Sequence, residues 1–413
     1  MENLVQSNRI QTVDALRGMA LLGILLAHMI FWYSAGPLPQ ELFTKYKDIG
    51  SQIVPYINDI LIAGKFFAFF SFLFGLSFYL QMQSMEKRQD NFMLRYGWRI
   101  ILLGIIGLIH HAFWRGDILS IYAPLGLLLL PLRKASNKLI LVLGILFALN
   151  VPGKLVDVIR FIINPKNVGF DFGGDPVVYY ATMSKAGWKQ LLMDNWNNLY
   201  DKFKFQVLGG RIYITYGFFL LGMYTGRMGW FRNVETAKPI FKKLCKRTAW
   251  LGLVLLMLAF SIIGANELFK LKWEQNPVVG FFFGIIYDTF NAALVVFYVT
   301  GLSLLMYKPS WQKAVQSFAT VGKLALTCYL TQTALGLLLF YHVGFGLVGK
   351  TPPYLNWGIA FLFFGLQVIV GSWWLKRYNY GPIEWLWRSA TFFKWYPMKK
   401  TTESLSVAND KTI

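Results

Sequence analysis

Asp14, Arg17 and His28 stand in DALRGMALLGILLAH, a run that is otherwise apolar and, with its flanks, long enough to cross a bilayer. His28 lies eleven helical steps beyond Arg17, so a helix carries both on one stripe, about 16 Å apart along its axis. Ionisable groups at bilayer depth cost at least ~2.5 kcal/mol each unless paired or wetted, so a helix face that keeps them reads as the wall of a polar site. The plainer alternative makes Arg17 the marker of a cytoplasmic helix end and His28 the maker of one interhelical hydrogen bond. As chemistry, histidine can take a proton from a hydroxyl or amine near neutral pH, and arginine can grip a phosphate with parallel hydrogen bonds.

The elements that must hold these residues are membrane helices. Hydrophobic residues make up 55% of the 413 and charged ones 15%, and long apolar runs recur at about 18–34, 58–82, 98–114, 117–132, 138–160, 211–230, 248–265, 278–306, 321–347 and 355–375. This predicts an all-α, polytopic membrane bundle of about ten transmembrane helices. The third and fourth should form a hairpin across Arg115–Asp117. No cleavable signal peptide precedes the first run. The net charge of +21 is read as topology and not as a nucleic-acid footprint, because the basic residues cluster in alternate loops. Both termini are then cytoplasmic, residues 1–390 form a single membrane domain, and 391–413 form a polar cytoplasmic tail. The loop at about 164–209 is external; it opens on the turn-rich linker NPKNVGFDFGGDP, read as mobile. Trp188, Leu191, Leu192, Trp196, Leu199 and Phe203 within it recur at helical spacing and predict an interfacial or cavity-capping amphipathic helix. Cys245 and Cys328 are not placed to pair, and no metal-ligand spacing occurs, so no metal is expected.

This topology assigns a depth to each intramembrane polar residue. His28, Lys65, His110, His111, Asp117, Arg211 and Asp288 fall at or near the outer half, with Asn291 one turn beyond Asp288, and His28, Lys65 and His110 are expected to share one cavity. Arg17, Lys323 and Thr327 fall at cytoplasmic helix ends, where an anionic group arriving from inside would meet them. Asp14 either pairs with Arg17 or caps the first helix, and Asp117 either serves the site or caps the helix after Gly116. Glu384 and Arg388 are spaced to pair with each other.

Five segments carry a family resemblance: DALRGMALLGILL at 14–26, KFFAFFSFLFGLSF at 65–78, GLIHHAFWRGDILSIYAPLGLLL at 107–129, GKLALTCYLTQTALGLLLFYHVGFGL at 322–347 and GPIEWLWRSAT at 381–391. In these the chain resembles the YeiB-like family, known as domain of unknown function 418. That family is similar in turn to the transmembrane acyltransferases, including acyltransferase family 3 and heparan-glucosaminide acetyltransferase. Arg17 and His28 fit the first-helix spacing regarded as catalytic in acyltransferase family 3. Many YeiB-like members carry Asn at the position of His28, while His110 matches the family's recurrent histidine before the GDIL turn, so the resemblance leaves the base open between the two.

The resemblance implies a multi-pass cell-membrane acyltransferase that moves an acyl group, most simply acetyl, from cytosolic acyl-CoA to a small-molecule, glycan or lipid acceptor at the outer face. Such a transfer needs a base, an oxyanion partner and a donor grip. His28 or His110 would supply the first, Lys65 or Ser71 the second, with Asp288 as a further catalytic candidate. Arg17, Lys323 and Thr327 would hold the donor, and His111, Asp117, Arg211 and Asn291 would line the acceptor site. The bilayer and a second copy of the chain are the expected partners, nucleic acid is not, and a transporter or flippase without acyl chemistry is the competing class.

Overall fold

The computed structural model describes residues 10–86, 91–164, 175–271, 273 and 276–400. The linker expected to be mobile falls mostly at 165–174 and the polar tail mostly at 401–413, both outside the described residues. The N-terminal third holds α1 (Gln11–Met29), the short α2 (Glu41–Thr44), α3 (Ile49–Leu61), α4 (Phe66–Glu86) and α5 (Phe92–Phe113). Then come α6 (Leu119–Leu127), α7 (Leu129–Leu132), α8 (Asn137–Ala148) and α9 (Val151–Ile163). The loop region forms α10 (Pro176–Lys185), α11 (Trp188–Asn197) and α12 (Leu199–Leu208), followed by α13 (Arg211–Arg227), α14 (Val234–Phe269) and α15 (Pro277–Met306). The C-terminal part holds α16 (Gln312–Lys323), α17 (Ala325–Phe340), α18 (Pro353–Arg377) and α19 (Pro382–Phe392). Among the described residues there is no strand beyond one isolated bridge, Tyr378 to Lys399.

Six helical segments are long and apolar enough to cross a membrane, and up to eight if two bent pairs each count as one span. The expected ten are not reached, for reasons the chain makes plain. The run at 117–132 breaks at Leu128 into α6 and α7, where Pro131 offers no N–H to the Leu127 carbonyl and its ring crowds that carbonyl. Helix α13 has 17 residues, starting after Gly210 at φ +71°. The run at 138–160 bends by 50° at the α8–α9 break, where Asn150 takes φ +57°, and the run at 321–347 is interrupted near its start by an 80° bend at Leu324 between α16 and α17. These breaks matter because each frees polar backbone at membrane depth, and polar side chains gather there.

Close helix approach is set by small residues. A side chain at Gly18 would run into the Phe318 carbonyl of α16 and one at Gly322 into the Asp14 carbonyl, so α1 and α16 touch backbone to backbone. Gly75 of α4 faces the Phe219 carbonyl of α13 in the same way. Gly107 sits against Leu119 and Ser120, closing the expected α5–α6 hairpin. The predicted amphipathic helix is two helices, α11 and α12, broken at Asn198, and α11 packs on α5 with Leu191 buried and Trp188 and Trp196 exposed. After α19 the chain folds back, with the Lys400 ammonium donating to the Leu375 carbonyl at 2.7 Å.

Gly322→Val should therefore lower stability by about 1–3 kcal/mol through overpacking, whereas Gly264→Ala, which meets nothing within 4 Å, should be neutral or better. Thermal unfolding in detergent micelles checks this, and equal midpoints would contradict the contact.

Candidate functional site

The C-terminal turn of α5 puts His110 and His111 on different faces, and each finds its own partner. His110 Nδ1 lies 2.8 Å from Asp117 Oδ1. The carboxylate also accepts the backbone N–H groups of Leu119 (3.1 Å) and Ser120 (2.8 Å), so Asp117 caps α6 and orients His110 at once. The capping reading of Asp117 is thus present in the structure, joined to a contact with His110. A carboxylate at Nδ1 makes Nε2 the proton-accepting nitrogen of the neutral ring, and Nε2 is buried with no hydrogen-bond partner.

Lys202 of α12 completes this cluster, although its sequence context presents it only as one of several loop lysines. It is 8% exposed; its ammonium donates to Ser120 Oγ at 2.8 Å and to His111 Nδ1 at 3.2 Å, and lies 3.6 Å from Asp117 Oδ2. His111 Nε2 in turn donates to the Asn195 carbonyl at 2.8 Å, and Asn195 Nδ2 donates to the Ala112 carbonyl. His111 is thus a buried strut between α5 and the α11–α12 cap. No local pattern marked Lys202; only the fold back of α12 onto α6 identifies it.

His28 stands beside this dyad without joining it. Its ring lies 4.8 Å edge-on from Trp114 and 5.3 Å from Tyr33, and Trp114 also touches His110 at 5.8 Å. Trp32 and Tyr33 take left-handed backbone (φ +51° and +58°), a turn held by bonds from Trp32 Nε1 to the Thr351 carbonyl and from Trp114 Nε1 to the Tyr33 carbonyl. Arg211 opens α13 and stacks over Phe67 at 4.5 Å.

Lys65, Asp288 and Asn291 form a second polar cluster instead of joining the first. Lys65 fills the α3–α4 break, donating to the Asp59 carbonyl at 2.6 Å and facing the Tyr287 and Phe290 rings at 5.7 and 5.3 Å. Asp288 is answered by Lys154 at 3.0 Å and by Asn150 Nδ2 at 2.9 Å, which explains an acid in mid-span: it pins the α8–α9 break to α15. Asn291 is buried beside Gly64 at the same break. Of the three residues expected to share one cavity, His110 lines the second cavity described below, neither cavity described is lined by Lys65 or His28, and Lys65 belongs to this second cluster.

At the opposite ends of these helices a cavity of about 230 Å³ opens between α1, α4, α5, α16, α17 and α19. Arg17, Arg99, Lys323 and Glu384 line one end, Leu21, Ile24, Phe70 and Leu103 its shaft, and Tyr122 and Tyr329 its far end. Arg17 pairs with Asp14 at 2.7 Å and donates to Ser77 Oγ at 2.5 Å, so the i, i+3 pairing read from the sequence is present. Arg99 lies 3.9 Å over the Trp387 ring. Glu384 does not pair with Arg388; it caps α17 by accepting from the N–H groups of Leu326 (2.7 Å) and Thr327 (3.0 Å) and from Thr327 Oγ1 (2.5 Å). Thr327 is thereby spent on the cap, and Arg388 sits against Tyr380, Phe392 and Tyr396.

The end of this cavity and the dyad meet at one contact. The Tyr329 ring stands 5.1 Å edge-on from His110, and its hydroxyl accepts the Ile118 N–H at 3.4 Å. A second, largely apolar cavity of about 430 Å³ lies against His110, Phe113, Trp188 and α17. Among the described residues no group of three or more His, Cys, Asp or Glu could hold a metal ion.

These features define an all-helical membrane protein with a carboxylate–histidine dyad between two cavities. Residues 225–394 match the family described as Protein of unknown function (DUF418). The chain is 29% identical over 432 residues to Uncharacterized protein YxaH of Bacillus subtilis (strain 168), covering 98% of this chain and 99% of the relative. It is 25% identical over 397 residues to Uncharacterized protein YeiB of Escherichia coli (strain K12), covering 92% and 95%. Similarity over almost the whole of both relatives supports the YeiB-like reading of the motifs, and none of these names carries an activity.

Lys202→Met should remove the cation that ties α12 to α6, destabilising the protein by about 3 kcal/mol. Amide exchange in 188–208 should quicken while α1 stays protected. The exposed Lys204→Met should change stability by less than about 0.5 kcal/mol. Unchanged exchange in 188–208 would contradict the strut.

Proposed function

We propose that the chain is a YeiB-like membrane-embedded acyltransferase that takes an acyl group, most simply acetyl, from acyl-CoA on the cytoplasmic side and passes it to an acceptor reached from the other side. The observation that carries this reading is the dyad: Asp117 holds His110 with Nε2 unpartnered, one aromatic ring away from the end of an apolar shaft whose far rim is cationic. An extended thioester suits that shaft. The eleven helical steps from Phe70 to Gln81 along α4 span about 16 Å, with phosphate-matching Arg17, Arg99 and Lys323 at the rim. His110 is the favoured base, because the carboxylate fixes its tautomer and stabilises the imidazolium formed when it takes a proton. The ring contacts of His28 with Tyr33 and Trp114 suit a residue that shapes the site better than one that deprotonates a substrate.

In the reaction the acceptor O–H or N–H gives its proton to His110 Nε2 as the heteroatom bonds to the acyl carbon. The carbon–sulfur bond breaks, and the thiolate leaves with the proton returned from His110. Lys202 keeps Asp117 charged without entering the step.

The test is acetyl-CoA consumption by the full chain in proteoliposomes of known orientation. His110→Ala should lower turnover by a factor on the order of 10² or more, and Asp117→Asn should follow it through the wrong tautomer. Turnover that survives His110→Ala would move the base to His28. Arg17→Ala should weaken donor binding by about tenfold and Arg17→Lys by less, since lysine keeps charge but loses the fork. Solute accumulation without any loss of acetyl-CoA would replace acyl transfer with transport.

A further inference from the structure

The second cavity says what the acceptor is. It lies between α5, α11 and α17 on the far side of the Tyr329–His110 contact, and apart from His110 and Thr333 its lining is apolar. Phe113 is 41% exposed, Trp188 48% and Leu338 50%, so the rim lies on the outer flank of α5, α11 and α17. On a bundle in a bilayer, that flank faces acyl chains. A water-soluble sugar or amine would find almost no hydrogen-bonding wall here.

Two further observations fix the head group. His110 Nε2 is buried and unpartnered beside this cavity; with Nδ1 given to Asp117 it can only accept, so the missing partner is a donor such as O–H. Nor does any cation line the cavity to answer a phosphate. Lys202, the buried ammonium beside the dyad, is already committed to Asp117, Ser120 and His111.

We infer that this cavity admits the acceptor sideways from the membrane, and that the acceptor is an uncharged lipid with a free hydroxyl, esterified where its oxygen meets His110. The inference rests on the acyl-transfer reading. Its step balances as that of any thioester alcoholysis: the lipid O–H bond breaks, its oxygen bonds to the acyl carbon, the carbon–sulfur bond breaks, and the proton passes through His110 to the departing thiol. Nothing is oxidised or reduced.

The probe is hexadecan-1-ol carrying a mid-chain diazirine, photolysed with the full chain in nanodiscs and mapped by mass spectrometry. Labels should fall on peptides holding Trp188 and Leu337–Val343, and excess unlabelled hexadecanol should compete where hexadecyl phosphate does not. Ala334→Trp fills the cavity from its exposed side and should cut labelling by about tenfold. Acetyl-CoA binding to the same protein should be unchanged. Leu338→Trp, at another exposed position, serves if the first variant does not fold. Labelling elsewhere, labelling unaffected by both variants, or equal competition by the phosphate overturns the proposal while retained acetyl-CoA binding leaves acyl transfer standing. Loss of acetyl-CoA binding in the unaltered protein removes the donor reading and the acceptor role with it.

Discussion

Burying the carboxylate of Asp117 is the constraint on which the rest of the site depends. An ionised carboxylate removed from water is tolerable only when its lone pairs are filled, and here they are filled by a histidine, two backbone N–H groups and a lysine. Each donor arrives on a different element: His110 on α5, the amides on α6, Lys202 on α12. Satisfying one charge therefore closes the α5–α6 hairpin, pulls the α11–α12 cap onto the bundle and freezes one tautomer of one imidazole. Structure and chemistry share the same hydrogen bonds.

The second polar cluster solves the same problem with a different result. Lys65, Asn150, Lys154 and Asp288 gather where α3–α4 and α8–α9 break, and each is spent on a freed carbonyl or an opposite charge. Among the described residues of this cluster, no buried side-chain nitrogen is left without a hydrogen-bond partner as His110 Nε2 is. Asp288 with a lysine at 3.0 Å is a clamp that lets a broken span pack tightly against α15.

The two cavities are separated by a thin aromatic partition. Tyr329 closes the end of the shaft, His110 borders the lateral cavity, and their rings touch. Keeping two cavities apart until both are filled would protect a thioester from water. The 80° bend at Leu324 makes this geometry possible, because it turns α17 so that Lys323 sits at the rim and Tyr329 at the bottom.

Much of this protein was legible in its sequence: apolar runs of membrane length, the shared stripe of Arg17 and His28, the Asp14–Arg17 pair and the α5–α6 hairpin are consequences of local pattern and helical period. Pattern fails where interruption replaces continuity. A hydropathy run does not say that Pro131, Asn150 or Leu324 interrupts it, so ten apolar runs yield six to eight candidate spans. Equal depth likewise does not say which neighbours share a wall, so Lys65 and His110 were grouped although they serve different breaks. Thr327 and Glu384 looked independent until the bend brought α19 against the start of α17. Lys202 is the clearest case: in the chain it is one lysine among several in a polar loop, and only the return of α12 across α6, driven by the need to neutralise Asp117, makes it part of the site.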